Sequence, residues 1–241
     1  MKNKVYFKDC GNIAYSAAWD MQQKYFQEAN DLKIHNRTHK DQLKTIAHHF
    51  FLCEHNHVYT LGKSGSEENL LVKSDMLLEE GIEFFHINRG GDITYHGPGQ
   101  ITGYPILDLE QFFTDVHKYM RFLEDVIILT CADYGVKAGR MEGLTGVWVN
   151  TDEPSRARKI CAMGVHLGRW ITMHGFGFNV NTDLSKFDLI VPCGIVDLGV
   201  TSLQKETGKY IDMQEVKMRI RAHFEEVFSC ILEDMPEGAC E

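Results

Sequence analysis

"KICAMGVHLGRWITMHGFGFNVN", Lys159 to Asn181, decides the fold class. Its two halves, "KICAMGVHLG" and "WITMHGFGFNVN", read as successive β-strands joined by a tight turn. A tight turn joins antiparallel strands, whereas parallel strands need a crossover of a dozen or more residues. "GVWVN" (Gly146–Asn150) adds a strand just upstream. The "NTDEPSRARK" that follows it (Asn150–Lys159) reads as an exposed turn between strands. Further upstream, "VHKYMRFLEDVIILTCADYG" fits a long helix ending at Gly135. "IEFFHINRGGDITYHGPGQITGYPILDL" alternates β-rich runs with Gly and Pro breaks, a strand–loop–strand pattern. "HHFFLCEHNHVYTLG" holds two further strand-like runs, Phe50–Cys53 and Val58–Leu61.

Helices bracket this β-rich centre. Near the N-terminus Ala18, Met21, Tyr25 and Ala29 recur at helical spacing, and the polar "LKIHNRTHKDQ" (Leu32–Gln42) reads as a loop or frayed helix end. At the other end "DMQEVKMRIRAHFEEVFSCIL" (Asp212–Leu232) predicts an amphipathic helix with Asp212 as its cap. The order helix, strands, helix, strands, helix predicts an α+β fold, a mixed and largely antiparallel sheet with packed helices. No linker, repeat or low-complexity segment interrupts the 241 residues, so one domain over 1–241 is expected.

Composition excludes several classes. With 25 basic against 34 acidic residues the net charge is −9, which argues against nucleic-acid binding. No apolar run approaches the roughly 20 residues that span a bilayer, so no membrane association is expected. The first residues show no signal-peptide pattern, which points to the cytoplasm. The cysteines number seven, an odd count, with no C-x-x-C, so a disulfide framework is not expected. His48, His49, His55 and His57 crowd around Cys53, yet their spacing matches no familiar metal site, and no metal is expected. His166 and His174, beside glycines on strands, read as structural; His96 reads as the histidine facing a ligand.

"RGGDITYHGPGQITGYP" (Arg89–Pro105) concentrates five glycines, Gly90, Gly91, Gly97, Gly99 and Gly103. It matches neither phosphate-binding glycine pattern. Two readings stand: the wall of a pocket for an extended, partly apolar ligand, or a tight β-turn with a polar rim. Cys193, between Pro192 and Gly194, is either a buried space-filler or a nucleophile held at a chain turn. Lys159, at the start of an apolar strand, either snorkels to water or acts chemically. If the two met at about 4 Å, their attraction at an effective dielectric near 20 would be roughly 4 kcal/mol. That exceeds the ~1.4 kcal/mol that moves a pKa by one unit.

Four blocks together resemble the lipoyl(octanoyl) transferase family: "LCEHNHVYTLGKSG" (Leu52–Gly65), "RGGDITYHGPGQITGYPILDL" (Arg89–Leu109), "GLTGVWV" with "KICAMGVHLGRWITMHGFGFNVN" (Gly143–Asn181), and "FDLIVPCGI" (Phe187–Ile195). One departure is "HNHVYTLG", where the family usually has two prolines after the first histidine. The resemblance implies the fold of the catalytic domain of biotin and lipoate protein ligases. It implies that Cys193 is the acyl-thioester nucleophile and Lys159 its pKa-lowering partner and proton shuttle. Its substrate-binding stretches fall on Arg89, Gly90, Gly91, Asp92, Ile93, Thr94, Tyr95 and His96; on Ala162, Met163 and Gly164; and on Gly175, Phe176 and Gly177, whose small members would let backbone amides approach an acyl group.

The implied reaction takes octanoyl from acyl carrier protein to a lysine of lipoyl domains, those of 2-oxoacid dehydrogenases and of the glycine cleavage H protein. Thioester-to-amide transfer is downhill, so neither ATP nor another cofactor is implied. A channel that measures chain length would discriminate modestly, since each buried methylene contributes about 0.8 kcal/mol. Acidic partners suggest a basic patch at the pocket mouth, with Lys63, Arg89, Arg158 and Arg169 as candidates. The same fold would also carry an ATP-dependent lipoate or biotin ligase, a non-catalytic acyl-binding module, or a thiol hydrolase; a placed cysteine favours the transferase.

Overall fold

The computed structural model describes residues 2–72, 77, 79–191 and 198–236. In chain order its elements are β1 (Asn3–Asn12), α1 (Tyr15–Thr38), β2 (His48–Glu54), β3 (Val58–Leu61), β4 (Glu83–His86), β5 (Ile93–His96) and β6 (Gln100–Ile106). Then come α2 (Val116–Asp133), β7 (Ala138–Gly139), β8 (Val147–Val149), β9 (Arg158–Gly168), β10 (Ile171–Asn179), β11 (Gly199–Val200), α3 (Leu203–Thr207), α4 (Met213–Val227) and β12 (Cys230–Asp234). The α+β expectation holds. One sheet runs β12-β1-β2-β6-β10-β9-β8-β7, with β11 added beside β9, and a second runs β4-β3-β5. Along the path from β2 to β7 every pair is antiparallel, whereas β11 runs parallel to β9 and β1 is parallel to both β2 and β12.

Helices cover both faces of the large sheet, which explains the unbroken apolar run of β2. Phe50 and Leu52 point to one side, where Tyr119, Leu123, Val126 and Ile127 of α2 and Val216, Ile220 and Phe224 of α4 close the core. Phe51 and Cys53 point to the other, against Ala18, Tyr25 and Ala29 of α1. Alternate strand residues face opposite sides, so a strand between two helical layers is apolar at every position. The buried stripe of α1 is Tyr15, Ala18, Gln22, Tyr25, Ala29 and Lys33, with Asn30 buried beside Ala29. Lys33 is buried because its ammonium meets the Asp108 carboxylate, with Glu110 at 3.2 Å.

Two ends of the sequence reading change. The helix of the "LKIHNRTHKDQ" region persists to Thr38 before the chain turns. The last helix stops at Val227: Ser229 takes a positive φ of 49°, and Cys230 and Leu232 then enter the core as strand residues. Asp212 caps that helix as expected, its carboxylate accepting the N–H groups of Gln214 (2.8 Å) and Glu215 (3.0 Å). Among the described residues no helix is long and apolar enough to cross a membrane.

Candidate active site

A hairpin and a loop laid across it build the site. β9 and β10 are joined by Arg169 and Trp170, both at positive φ (50° and 69°), the twist that suits a two-residue hairpin turn. The register set by that turn places Gly164 opposite Gly175, Met163 opposite Phe176 and Ala162 opposite Gly177. On its far side β10 lies against β6 with Phe176 opposite Gly103; a Cβ at Gly103 would fall 2.2 Å from the Phe176 ring. The loop before β5 then crosses β9: the Gly90 N–H donates to the Val165 carbonyl at 2.9 Å, and Gly91 turns at φ 85°.

These elements enclose a cavity of about 450 Å³. Arg89, Gly90, Gly91, Asp92, Ile93, Thr94 and His96 line it, as do Lys159, Ala162, Met163, Gly164, Gly175, Phe176 and Gly177. Residues that the sequence had placed in three separate stretches therefore line one cavity. Tyr95 does not line that cavity. Its hydroxyl bonds His57 Nδ1 at 2.7 Å and its ring packs on Tyr59 and Phe187 in a separate cluster, because strand alternation sends it away from Thr94 and His96. The glycines also need a correction. A Cβ at Gly164 would lie 2.7 Å from the Gly90 carbonyl oxygen, and one at Gly175 would lie 2.1 Å from that of Gly103. The protein's own carbonyls fill those spaces, so these glycines serve close chain-on-chain packing. Within the glycine-rich segment Gly90 and Gly91 line the cavity, while Gly99, at φ 78°, turns the β5–β6 connection.

Several lining residues were not assigned to the site from the sequence. Tyr15 and Met120 come from α1 and α2, Leu144 and Thr145 from the approach to β8, Tyr104 from β6 and His174 from β10. Tyr15 and Met120 sit on helical stripes that read as ordinary core, which is why pattern alone passes over them. His174 lines the cavity as well: it is buried there with φ 61° inside a strand, its N–H donating to Gln22 Oε1 (3.0 Å) and its Nε2 bonded to Asn88 Oδ1 (2.7 Å). A side chain with a Cβ is strained there.

The cavity keeps its imidazoles neutral. Burial, aided by His55, pushes His96 down to about 3, and burial with the Arg89 guanidinium pushes His174 down to about 3. Gln100 donates through Nε2 to the Tyr95 carbonyl (3.0 Å) and to Asn179 Oδ1 (2.9 Å), so its Oε1 accepts from His96 Nδ1 at 2.6 Å. That fixes the tautomer and leaves His96 Nε2 as an acceptor. Arg89 is committed: one guanidinium nitrogen donates to the Thr60 carbonyl (2.6 Å) and hydroxyl (3.0 Å), another to the Gly90 carbonyl (3.1 Å). The basic patch expected at the mouth therefore loses two members, since Arg89 is buried and Arg158 is held by Glu206 at 2.9 and 3.1 Å. Lys63 and Arg169 are exposed. Of the crowded histidines, His55 donates to the Ile13 carbonyl (2.8 Å) and receives the Tyr104 hydroxyl (2.7 Å). Among the described residues no three His, Cys, Asp or Glu side chains converge as metal ligands.

Residues 14–225 match the family model of the lipoyl protein ligase A/B catalytic domain. The chain belongs to that family. Among its relatives is the octanoyltransferase of Flavobacterium johnsoniae, 55% identical over 229 residues, covering 95% of this chain and 98% of the relative. The octanoyltransferase of Cytophaga hutchinsonii is 49% identical and covers 95% of both. In fold the chain is similar to the bi-partite lipoate protein ligase of Thermoplasma acidophilum, studied with its E2 lipoyl domain (TM-score 0.70, 14% identity, 100% of this chain and 89% of that one). It is also similar to lipoate-protein ligase A bound with ATP (TM-score 0.68, 14% identity, 100% and 91%).

In this member of the lipoyl protein ligase A/B family, Lys159 stands at the cavity with its Nζ 4.6 Å from the centre of the Trp148 ring. Cys193 lies outside the described residues. The chain on either side of it is described, and each side is tied to a residue of the wall. Upstream, the Val191 N–H donates to the Asn69 carbonyl (2.8 Å), and Asn69 Nδ2 donates to Asp92 Oδ2 (2.5 Å). Downstream, Val200 is the strand partner of Lys159, and the Thr201 N–H donates to the Lys159 carbonyl at 2.9 Å.

Proposed function

We propose that this chain is an octanoyltransferase of protein lipoylation, acting through a cysteine thioester as one domain over residues 1–241 in the cytoplasm. Octanoyl arrives as a thioester on acyl carrier protein. The Cys193 thiolate attacks the carbonyl carbon; the bond to the carrier sulfur breaks, and the carrier leaves as its thiol with the proton of the Lys159 ammonium, which becomes the neutral amine. A lysine amine of a lipoyl domain, in a 2-oxoacid dehydrogenase or the glycine cleavage H protein, then attacks the acyl-enzyme. An amide forms, the Cys193–acyl bond breaks, and the amine's proton passes to Lys159. No cofactor enters this scheme.

The observation that carries the reading is the pair of ties around Cys193. The chain is held to the Asp92 side of the cavity two residues before it and to Lys159 seven residues after it. Relatives about half identical over nearly the whole chain bear the name octanoyltransferase, and the 450 Å³ cavity between these ties has apolar walls at Met163 and Phe176 for an acyl chain. Arg89–Thr94 then serve as one wall of the acyl site, Ala162–Gly164 and Gly175–Gly177 as the other, with His96 beside the reacting carbonyl.

Intact-mass analysis tests this. Mixing with octanoyl carrier protein adds one octanoyl to the chain, and a lipoyl domain then removes it without ATP. Cys193→Ser abolishes the adduct, and Lys159→Ala slows its formation. An adduct that persists on Cys193→Ser, labile to hydroxylamine at another cysteine, refutes the nucleophile. Activity that needs free octanoate and ATP makes the chain a ligase instead.

A further inference from the structure

We infer that Trp148 is a positioning residue, its indole face holding the Lys159 ammonium at the cavity wall. This deepens the reading of Lys159 as the proton carrier and rests on it for the consequence in catalysis, though not for the contact itself. Trp148 and Lys159 are cross-strand partners on β8 and β9, with the register shifting between Val147 and Trp148, and the ammonium lies 4.6 Å from the ring centre. The indole is 1% exposed and does not line the cavity; it stands behind the lysine. A cation over a desolvated indole face is attracted by the ring quadrupole, more strongly than over phenylalanine.

The choice of tryptophan is itself informative. Its Nε1–H is buried and has no hydrogen-bond partner among the described residues. Burying an unsatisfied donor costs stability, and a phenylalanine would fill much of the same space without that cost. What the larger ring adds is the stronger π-face. The lysine stem has its own lane: a Cβ at Gly146, which turns at φ 112°, would lie 3.6 Å from Lys159 Cε and 2.6 Å from the Cys161 carbonyl oxygen. The Lys159 backbone is meanwhile pinned by Val200 and Thr201. A flexible four-carbon side chain with a pinned base and a π-face under its head is drawn toward that face.

Trace labelling with acetic anhydride, read by peptide mass spectrometry and normalised to the exposed Lys40, tests the contact without reference to catalysis. In Trp148→Leu the Lys159 amine labels about fivefold faster, the equivalent of roughly 1 kcal/mol of cation–π attraction. In Trp148→Phe it labels at an intermediate rate, about twofold faster, because a weaker π-face remains. Octanoyl transfer falls in the same order, with the phenylalanine variant partly rescued. Equal labelling of Lys159 in the parent and both variants overturns the inference, as does equal acceleration in both, which would mean loosened packing. Should Trp148→Leu not fold, Trp148→Phe decides: about twofold supports the contact and no change overturns it. Intact transfer by Lys159→Ala would sink the proton-carrier reading instead, and the labelling result would stand by itself.

Discussion

Removing the carboxylate of Glu124 gives the sharpest test of how the fold holds the cavity wall. Glu124 lies on α2 with no exposed surface. Its Oε2 accepts from Arg121 Nη1 (2.6 Å) and Arg140 Nε (2.7 Å), and its Oε1 accepts the Gly146 N–H (3.1 Å). Gly146 follows directly on the wall residues Gly143, Leu144 and Thr145. The arginine side chains are 46% and 35% exposed, so both stay hydrated once the anion is gone, and Arg140 keeps Asp125 at 2.6 Å. The two charge-assisted bonds are therefore discounted to about 2 kcal/mol together, below the cost of stranding a fully buried charge. The buried Gly146 N–H, left without an acceptor, adds about 1–2 kcal/mol. Glu124→Ala is expected to lose about 3–4 kcal/mol, and Glu124→Gln, which keeps an acceptor for Gly146, about 2 kcal/mol. Urea unfolding read from midpoint and slope measures both. The alanine variant, with its wall loop released, also shows a higher KM for the octanoyl donor and a smaller change in kcat. A Glu124→Ala protein within about 1 kcal/mol of the parent, or equal losses in the two variants, would refute the reasoning.

Two further outcomes are expected. Burial pushes His49 and His55 down to about 4, and His96 and His174 down to about 3. The unfolded chain, whose histidines titrate near 6.5, thus takes up protons before the folded one. Stability is complete above that pH and falls as the pH drops toward the folded values, by about 1.4 kcal/mol per histidine at about pH 5.5. Urea midpoints that stay flat between about pH 7.5 and about pH 5.5 would contradict this. Gly175→Ala forces a Cβ to 2.1 Å from the Gly103 carbonyl oxygen, so it destabilises by about 1–3 kcal/mol or more and lowers activity; a normal melting temperature would show that β6 and β10 part without cost.

What was legible in the sequence was what short-range rules can carry. Period and breaks located β2, β3, β5, β6 and the β9–β10 hairpin, and the Asp212 cap located the start of α4. β1 and β12 escaped notice because each pairs with a segment at a great sequence distance: Asn3 pairs with Cys230. The apolar "VFSCIL" continues the α4 pattern, and only the positive φ at Ser229 separates helix from strand there. Within the site, Arg89 was legible as important, yet its burial against Thr60 was not, because that contact joins β3 to a loop 29 residues away.

By itself the sequence determined the α+β class, the stretches that line the cavity and, through long motif blocks, the family. The class depends on hydrophobic period and turn chemistry, which act locally along the chain, whereas the stretches and the family come from the resemblance that the long motif blocks carry. Tertiary structure alone decided that Tyr95 turns away while His174 turns in, that carbonyls fill the glycine spaces, and that an indole lies under Lys159. Each of these follows from strand register and face, and register is set by packing between segments that the chain brings together only when it folds.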